Sequence, residues 1–396
     1  MAVSPCSFDF FSFLYAAEVC RKRRKLEEIE LVFVHGTKGK FRSDNIRTQS
    51  QNEMFFNNVI IPGISLLQAI SSFSWKSREE MNFDTINPFN IFPRGYQLLK
   101  PVHEYLSHEL VSAKVRGDEA GKFNAPDYAV KLAKKFIEEK LDGRKFITLT
   151  TREIERDDIN NSRSIDTQRW HRTLNAIKEL DVVPLVIRDT DRTFSNSLFD
   201  DILEAPVASI HLPFRFALYE QSLLNFTRNN GPSTLMLYGN APSIFFSEFD
   251  DDVVAVSEKW FRNNYGMVRG DQFPMTTKAT KFRWGDDDTD YVLNEVRAAI
   301  DGEVYHDELH PFEDTENVRA SISVAIRHFI KCVNFNVMFE DATLLAGISK
   351  ITQQFGLMPD LVQQIKDIQG HQIPSNTLEL LEKNFNLILE VKAETQ

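Results

Sequence analysis

The residues best placed to do chemistry in this 396-residue chain fall in three blocks. The first, Thr148-Leu-Thr-Thr-Arg-Glu-Ile-Glu-Arg156, puts guanidiniums and carboxylates at the end of an apolar run, with Asn161 and Ser162 following. An arginine leaving the carboxyl end of a strand points into the crevice where α/β sheets bind ligands, and its planar fork matches phosphate oxygens. Arg152 is the leading candidate for that contact, with Arg156, Asn161 and Ser162 as further donors. Arg156 and Arg169 are equally well explained as solvated charges. The second block is Asn230-Gly-Pro-Ser233. Gly231 permits a tight turn, Pro232 suits the first helical position, and Ser233 adds a hydroxyl beside free amides, so Asn230 to Ser233 can cradle a diphosphate without metal. The same residues also make an ordinary loop and cap.

The third block runs from Gly270-Asp-Gln-Phe-Pro274 to Asp290, with Gln272 and Phe273 as candidates to meet a nucleotide base. Asp286, Asp287 and Asp288 invite a divalent cation. They lie just before a helical stretch, Tyr291 to Ile300, where aspartates satisfy free amides and the helix dipole; capping is the expectation, and no metal site is expected. For proton abstraction the candidates are Asp44, His35 and Glu153. His35 follows an apolar run, so a core histidine is its other reading. His103 and His108 are spaced wrongly for a helical metal pair, and no Cys-x-x-Cys occurs. The P-loop, Gly-x-Gly-x-x-Gly and Gly-x-Ser-x-Gly patterns are also missing, which thins the competing α/β chemistries.

These groups need elements to hold them. Ile29 to Val34 is a β-branched, apolar run that predicts a buried strand ending at His35-Gly36. Residues 126–141 place Tyr128, Val130, Leu132, Ala133, Phe136, Ile137 and Leu141 at helical spacing, with Asp127 near the start and Gly143 just past the end. A strand over 145–150, a helix over 165–180 and a strand over 182–187 follow, and strand–helix–strand with short joins indicates a parallel sheet covered by helices. Further strands are expected at Ala208–His211 and Ser243–Ser247, with a helix from Phe214 to about Arg228 and another opening near Pro232. From Val318 onward the pattern is mostly helical, with Leu378, Leu381, Phe385 and Ile388 on one face of a last helix. The resulting division is 1–141, 142–302 and a helical extension over 303–396.

The net charge of −11 argues against a surface that tracks nucleic-acid phosphates. Three cysteines, Cys6, Cys20 and Cys332, form no zinc or disulfide pattern and fit a reducing, cytoplasmic setting. No run is long and apolar enough to span a bilayer. The apolar stretch Phe8–Val19 precedes a basic cluster, Arg21 to Lys25, the reverse of a secretory signal. It predicts a helix packed on the protein body, with a peripheral membrane contact as the alternative. Asn225-Phe-Thr227 matches a glycosylation acceptor but falls within a predicted helix and is taken as chance.

Asn230-Gly-Pro-Ser with its following helix, Gly-Asn-Ala-Pro and an apolar strand resembles the donor site of heptosyltransferase-type GT-B enzymes. That family has Asp-Thr-Gly-Pro and then a His, where this chain has Asn229, Asn230 and Thr234. The placement of Arg152 resembles the arginine of fucosyltransferases of the NodZ and protein O-fucosyltransferase type, with Thr150 where those carry His. The order of the blocks, with Val34-His-Gly and Phe41-Arg-Ser-Asp44, is similar to GT-B-type glycosyltransferase-like proteins of bacterial surface-polysaccharide clusters. The resemblance implies an α/β, GT-B-like pair of Rossmann-type domains with a helical C-terminal extension. It implies glycosyl transfer from a nucleotide-sugar co-substrate, with no other cofactor, to a glycan or lipid-linked acceptor. A non-catalytic sugar-binding or scaffold protein on a degenerate fold is the second reading.

Overall fold

The computed structural model describes residues 6–34, 48–77, 79–81, 90–93, 105–153, 164–247, 249–251, 256–302, 306–334 and 341–357. The chain begins with α1 (Asp9–Arg23) and β1 (Ile29–Val34), then α2 (Gln49–Phe55), a π-helical turn Phe56–Ile60, α3 (Ile61–Gly63) and β2 (Ile70–Lys76). Next come α4 (Tyr105–Arg116), α5 (Asp127–Leu141), β3 (Phe146–Thr150), α6 (Thr167–Lys178), β4 (Val183–Ile187) and β5 (Leu203–Glu204). After these lie α7 (Pro206–Ile210), α8 (Leu212–Gln221), β6 (Leu224–Arg228), α9 (Ser233–Leu237) and β7 (Ser243–Ser247). The remainder is α10 (Glu258–Tyr265), β8 (Thr280–Trp284), α11 (Thr289–Ile300), α12 (Thr315–Asn334) and α13 (Asp341–Gln354).

Two compact units share these elements and interleave along the sequence: 1–81, 120–257 and 275–310 form one, and 82–119, 258–274 and 311–396 the other. The protein is α/β. The first unit holds a six-stranded, wholly parallel sheet in the order β5-β4-β3-β6-β7-β8. The chain leaves β3 in one direction through β4 and β5, then returns to the other flank of β3 as β6. This is the doubly wound arrangement, whose ligand crevice lies outside the carboxyl ends of the strands where the order reverses. A separate parallel pair, β1 with β2, belongs to the same unit.

The two faces of the large sheet differ in chemistry. Ile147 and Leu149 of β3, Leu224 and Phe226 of β6, and Ile244 and Phe246 of β7 share one face and pack on Trp170, Leu174 and Ile177 of α6 and Val292 and Val296 of α11. The alternate positions include Thr148, Thr150, Asn225 and Thr227, all at most 1% exposed. Buried polar groups need partners, and here the partners are local. Asn225 accepts from Thr148 Oγ1 at 2.6 Å and Ser222 Oγ at 2.8 Å, and donates to the carbonyls of Tyr219 at 3.0 Å and Pro242 at 2.8 Å. Thr150 bonds the Tyr219 hydroxyl at 2.7 Å. Asn225 therefore sits in a strand, fully enclosed, which agrees with reading its glycosylation pattern as chance.

Two sequence expectations are corrected by this arrangement. Ala208–His211 is not a strand but part of the short helix α7, and the helix expected to reach Arg228 stops at Gln221. Ser222 takes an extended backbone, φ −78° and ψ 153°, and Leu224–Arg228 becomes a central strand. Although buried on both faces, β6 carries polar residues at Asn225, Thr227 and Arg228 in place of a continuous apolar run, and the apolar pattern of α8 runs straight into it. β2 and β8 also escaped the sequence reading, since neither has a fully buried pattern. The final helix expected around Leu378 to Ile388 lies outside the described residues.

α1 is buried along most of its length, with Phe10, Phe11, Leu14, Tyr15, Ala16 and Val19 at 1% exposure or less. Tyr15 stacks on Tyr238 at 4.1 Å and donates to the Met275 carbonyl at 2.7 Å. Its basic end is tied internally: Arg21 binds Glu18 at 2.7 Å and the carbonyl of Leu26 at 2.6 Å, and Lys22 reaches the Ala120 carbonyl at 2.6 Å. No helix among the described residues is long and apolar enough to cross a membrane.

The second unit is helical where described. Val111 and Val115 of α4, Val318, Ile322 and Phe329 of α12, and Leu344 and Ile348 of α13 form its core. Gly347 lets α13 approach α4 closely; a Cβ there would lie 2.6 Å from the Val115 carbonyl oxygen. Asp271 is 2% exposed and receives the Val268 amide at 2.6 Å; burial pushes its carboxyl up to about 6, against the hydrogen bonds it accepts.

Two measurements check these packing arguments. Asn225→Leu removes four hydrogen bonds and leaves the Thr148 hydroxyl without its acceptor, while Ser222 keeps the Tyr219 carbonyl and the Pro242 carbonyl keeps the residue-225 amide. It should cost about 2–4 kcal/mol in urea unfolding, with Thr148→Val costing less. Because Asp271 is protonated in the fold when the unfolded group has already ionised, stability should fall as pH rises from 4 to 6, by about 3 kcal/mol at most. Asp271→Asn should flatten that slope.

Candidate functional site

At the carboxyl ends of β3 and β4 three arginines meet three carboxylates. The chain leaves β3 as Thr151-Arg152-Glu153 and leaves β4 as Arg188-Asp189. Arg188 grips Glu153 with Nε on Oε1 at 2.9 Å and Nη2 on Oε2 at 2.5 Å, and lies 3.8 Å from Glu204. Thr151 Oγ1 adds a third donor to Glu153 at 2.9 Å. The Glu153 amide donates to Asp189 Oδ2 at 2.7 Å, which ties the ends of the two strands together. Burial raises the Asp189 carboxyl above its ordinary value, opposed by that amide and then by Arg215.

Arg152 is treated differently from Arg188. It is half-buried, and Nη1 is shielded from solvent with no hydrogen-bond partner among the described residues. Burial pulls its guanidinium below the ordinary value while the charge of Asp189 pulls the other way. A guanidinium whose enclosed Nη1 has no hydrogen-bond partner among the described residues, at a strand's carboxyl end beside the reversal in strand order, can donate to an anionic oxygen.

Across the switch, β6 ends at Arg228, on the same face as Phe226. Arg228 donates Nε to Asp287 Oδ2 at 3.2 Å, and Nη2 to Asp287 Oδ1 and Asp286 Oδ1, each at 2.9 Å. Arg169 of α6 binds both aspartates, with Nη2 at 2.8 Å from Asp286 Oδ1, and Trp170 Nε1 donates to Asp287 at 2.5 Å. Asp288 accepts the Tyr291 amide at 2.8 Å and caps α11. The expectation of capping thus holds for one aspartate of the triplet, while the other two are taken by arginines and tryptophan. Burial would raise Asp286, but bonds from Asp287 and Arg169 outweigh it and hold its carboxyl down to about 2. Arg169, read above as a solvated charge, is a structural ligand of these aspartates. Among the described residues no group of three or more His, Cys, Asp or Glu is arranged to hold a metal ion.

The Asn230–Ser233 turn closes on itself. Asn230 Oδ1 accepts the Ser233 amide at 2.9 Å, Ser233 Oγ donates to the Asn230 carbonyl at 2.5 Å, and Asn230 Nδ2 donates to Thr227 Oγ1 at 2.9 Å. Pro232 has no N–H to offer. Gly231 is pressed by α1's leading aromatic: a Cβ at that position would stand 2.7 Å from Phe8 Cδ2. Asn230 and Ser233 are 4% and 2% exposed. The amide cradle expected at Asn230, Gly231, Pro232 and Ser233 is therefore used internally, as an asparagine cap and a close-packing contact. Glu153 accepts from Arg188 through both oxygens and from Thr151, which makes it a clamp on the strand ends.

Of the other sequence candidates, His35, Asp44, Arg156, Asn161 and Ser162 lie outside the described residues. Gln272 and Phe273 belong to the second unit; Phe273 packs its ring 4.4 Å from Tyr265. Arg188 and Arg215 were not singled out from sequence. Arg188-Asp189 directly after a predicted strand was the available signal for the first. Arg215 gave none, because it stands within an apolar helix.

No family model matches the chain, and no curated protein matches it. Among solved structures, ADP-heptose LPS heptosyltransferase II of E. coli is similar over 45% of this chain and 53% of its own, at 8% identity and a TM-score of 0.32. A glycosyl transferase family 9 structure from Veillonella parvula is similar over 80% and 79%, at 8% identity and a TM-score of 0.31. An alpha,alpha-trehalose 6-phosphate synthase from Burkholderia multivorans is similar over 59% and 50%, at 10% identity and a TM-score of 0.24. The chain spans about half the length of the first and the last of these. Likenesses of this strength assign neither family nor activity. What the fold and site define is an α/β protein with a doubly wound sheet and arginines gathered at its carboxyl edge.

Asp287, whose side chain is fully enclosed, is the hub of the Arg169–Arg228–Trp170 contacts. Asp287→Ala leaves buried Arg228 facing an unfilled site and should cost about 3–5 kcal/mol in chemical denaturation. Asp286→Ala, at a half-exposed carboxylate, should cost far less.

Proposed function

We propose that this chain is a GT-B-type glycosyltransferase that passes a sugar from a nucleotide-sugar donor to a glycan or other hydroxyl acceptor. The observation that carries the reading is Arg152: an arginine whose enclosed Nη1 has no hydrogen-bond partner among the described residues, at the carboxyl end of the first strand of a doubly wound sheet. In such a transfer the acceptor oxygen bonds to the sugar's anomeric carbon, the bond from that carbon to the diphosphate breaks, and the nucleoside diphosphate leaves with the electron pair. The acceptor proton passes to a base, for which Asp44 and His35 stand as candidates from sequence. Arg152 would meet the charge growing on the leaving diphosphate, the electrostatic contribution that is usually the largest in such catalysis.

A donor site built on arginine rather than on a metal is supported by the fate of the Asp286–Asp288 triplet, whose carboxylates are occupied by Arg169, Arg228, Trp170 and the Tyr291 amide. Surface-polysaccharide assembly, with a lipid-linked acceptor at the inner face of a membrane, is the setting that the order of the sequence blocks favours.

The test is a thermal-shift screen with UDP, GDP, ADP, CMP and their common sugar conjugates, with and without EDTA. One nucleotide class should raise Tm by several degrees with EDTA present, and Arg152→Ala should lose both that shift and turnover while keeping its unliganded Tm. No shift with any of them would favour the scaffold reading instead.

A further inference from the structure

Arg215 is among the largest fully enclosed side chains of the protein, at 0% exposure. It lies on α8, the helix that carries the chain across the switch from the β5 flank to β6. Its guanidinium reaches the carboxyl end of β4, where Nη2 donates to the Arg188 carbonyl at 2.8 Å. Nε and Nη1 have no hydrogen-bond partner among the described residues. That leaves three of the five N–H groups of an arginine unused.

Such an arrangement is costly for a residue with a packing role alone. Enclosing a guanidinium is tolerated when its donors are met, and an aliphatic chain of the same volume would fill this place without the penalty. The nearby carboxylates do not meet the need. Glu153 is held by Arg188 through both oxygens, and Glu204 also faces Arg188. Asp189 accepts the Glu153 amide and acts electrostatically on both Arg152 and Arg215, yet neither arginine forms a direct ion pair with it. Two guanidiniums thus share one carboxylate at one end of the sheet, and both keep unused, enclosed donors.

We propose that Arg215 is a second phosphate-binding residue of this site, completing with Arg152 a paired-fork seat for a diphosphate. The proposal rests on the donor-site reading above and adds a residue to it. Two planar forks suit two phosphate groups, since each can face a pair of oxygens. The ligand's negative charge would supply what Asp189 alone leaves unmet, and the enclosure of these donors would strengthen the bonds formed with it.

The experiment is calorimetric titration of the full chain with inorganic pyrophosphate and with UDP, GDP, ADP and CDP, comparing wild type, Arg152→Ala, Arg215→Met and Arg215→Lys, with unliganded Tm recorded for each. Arg215→Met should weaken diphosphate binding about ten- to a hundredfold, in line with loss of charge-assisted bonds, while its unliganded Tm stays level or rises. Arg215→Lys keeps the charge without the fork and should also bind about tenfold or more weakly; it serves alone if the methionine variant does not fold. Arg215 variants that bind within twofold of wild type while Arg152→Ala loses binding would overturn this inference and leave the donor-site reading standing. A wild-type chain that binds none of the five probes would overturn both.

Discussion

The six-stranded sheet depends on one amide side chain. Asn225 lies where β3 meets β6, the seam at which the chain reverses its order of strand addition, and its four hydrogen bonds reach β3, the end of α8, the turn into β6 and the residue before β7. An apolar residue could fill the same volume but would not select among alternative registers, whereas an enclosed amide that must place two acceptor and two donor contacts accepts only one. The buried threonines on the same face follow from this choice, because a polar seam requires polar neighbours.

The carboxyl edge of that sheet shows how arginine can serve two opposite purposes on one scaffold. On the β6 side, Arg228 and Arg169 are both paired with Asp286 and Asp287, Arg169 keeping only its Nε without a hydrogen-bond partner among the described residues, and the result is a brace between β6, α6 and the start of α11. On the β3 side, Arg188 is engaged in the same way by Glu153, but Arg152 and Arg215 retain donors with no acceptor among the described residues. Stability alone would remove that asymmetry. Its persistence at the crevice end of a doubly wound sheet is the pattern expected where local stability is given up for a binding contact.

Much of this architecture was legible in the sequence because several elements carry their own signals. α5 has helical spacing and Gly143 just past its end, and α11 has the aspartates before it, of which Asp288 is the cap. β1, β3, β4 and β7 were found as short apolar runs. β6 was lost because Asn225, Thr227 and Arg228 are polar and because the apolar pattern of α8 runs straight into it. Arg152 could be placed from its position after a strand. The internal use of the Asn230–Ser233 turn could not, since the aromatic that packs on Gly231 lies more than two hundred residues earlier. Which carboxylate each arginine meets is likewise a property of the folded chain, set by the order of strands and not by spacing.

The position of α1 has a consequence for how the protein is made. Its aromatic face is completed by residues far along the chain: Ser12 with Tyr238, 226 positions away, and Tyr15 with Met275, 260 positions away. At roughly 5–20 residues per second of synthesis, Tyr15 waits on the order of ten seconds to a minute before its hydrogen-bond acceptor exists. During that interval a helix rich in phenylalanine has no finished core to enter. The nascent chain is therefore a natural client for chaperones that shield apolar helices, and the first unit can close only after most of the polypeptide has been made.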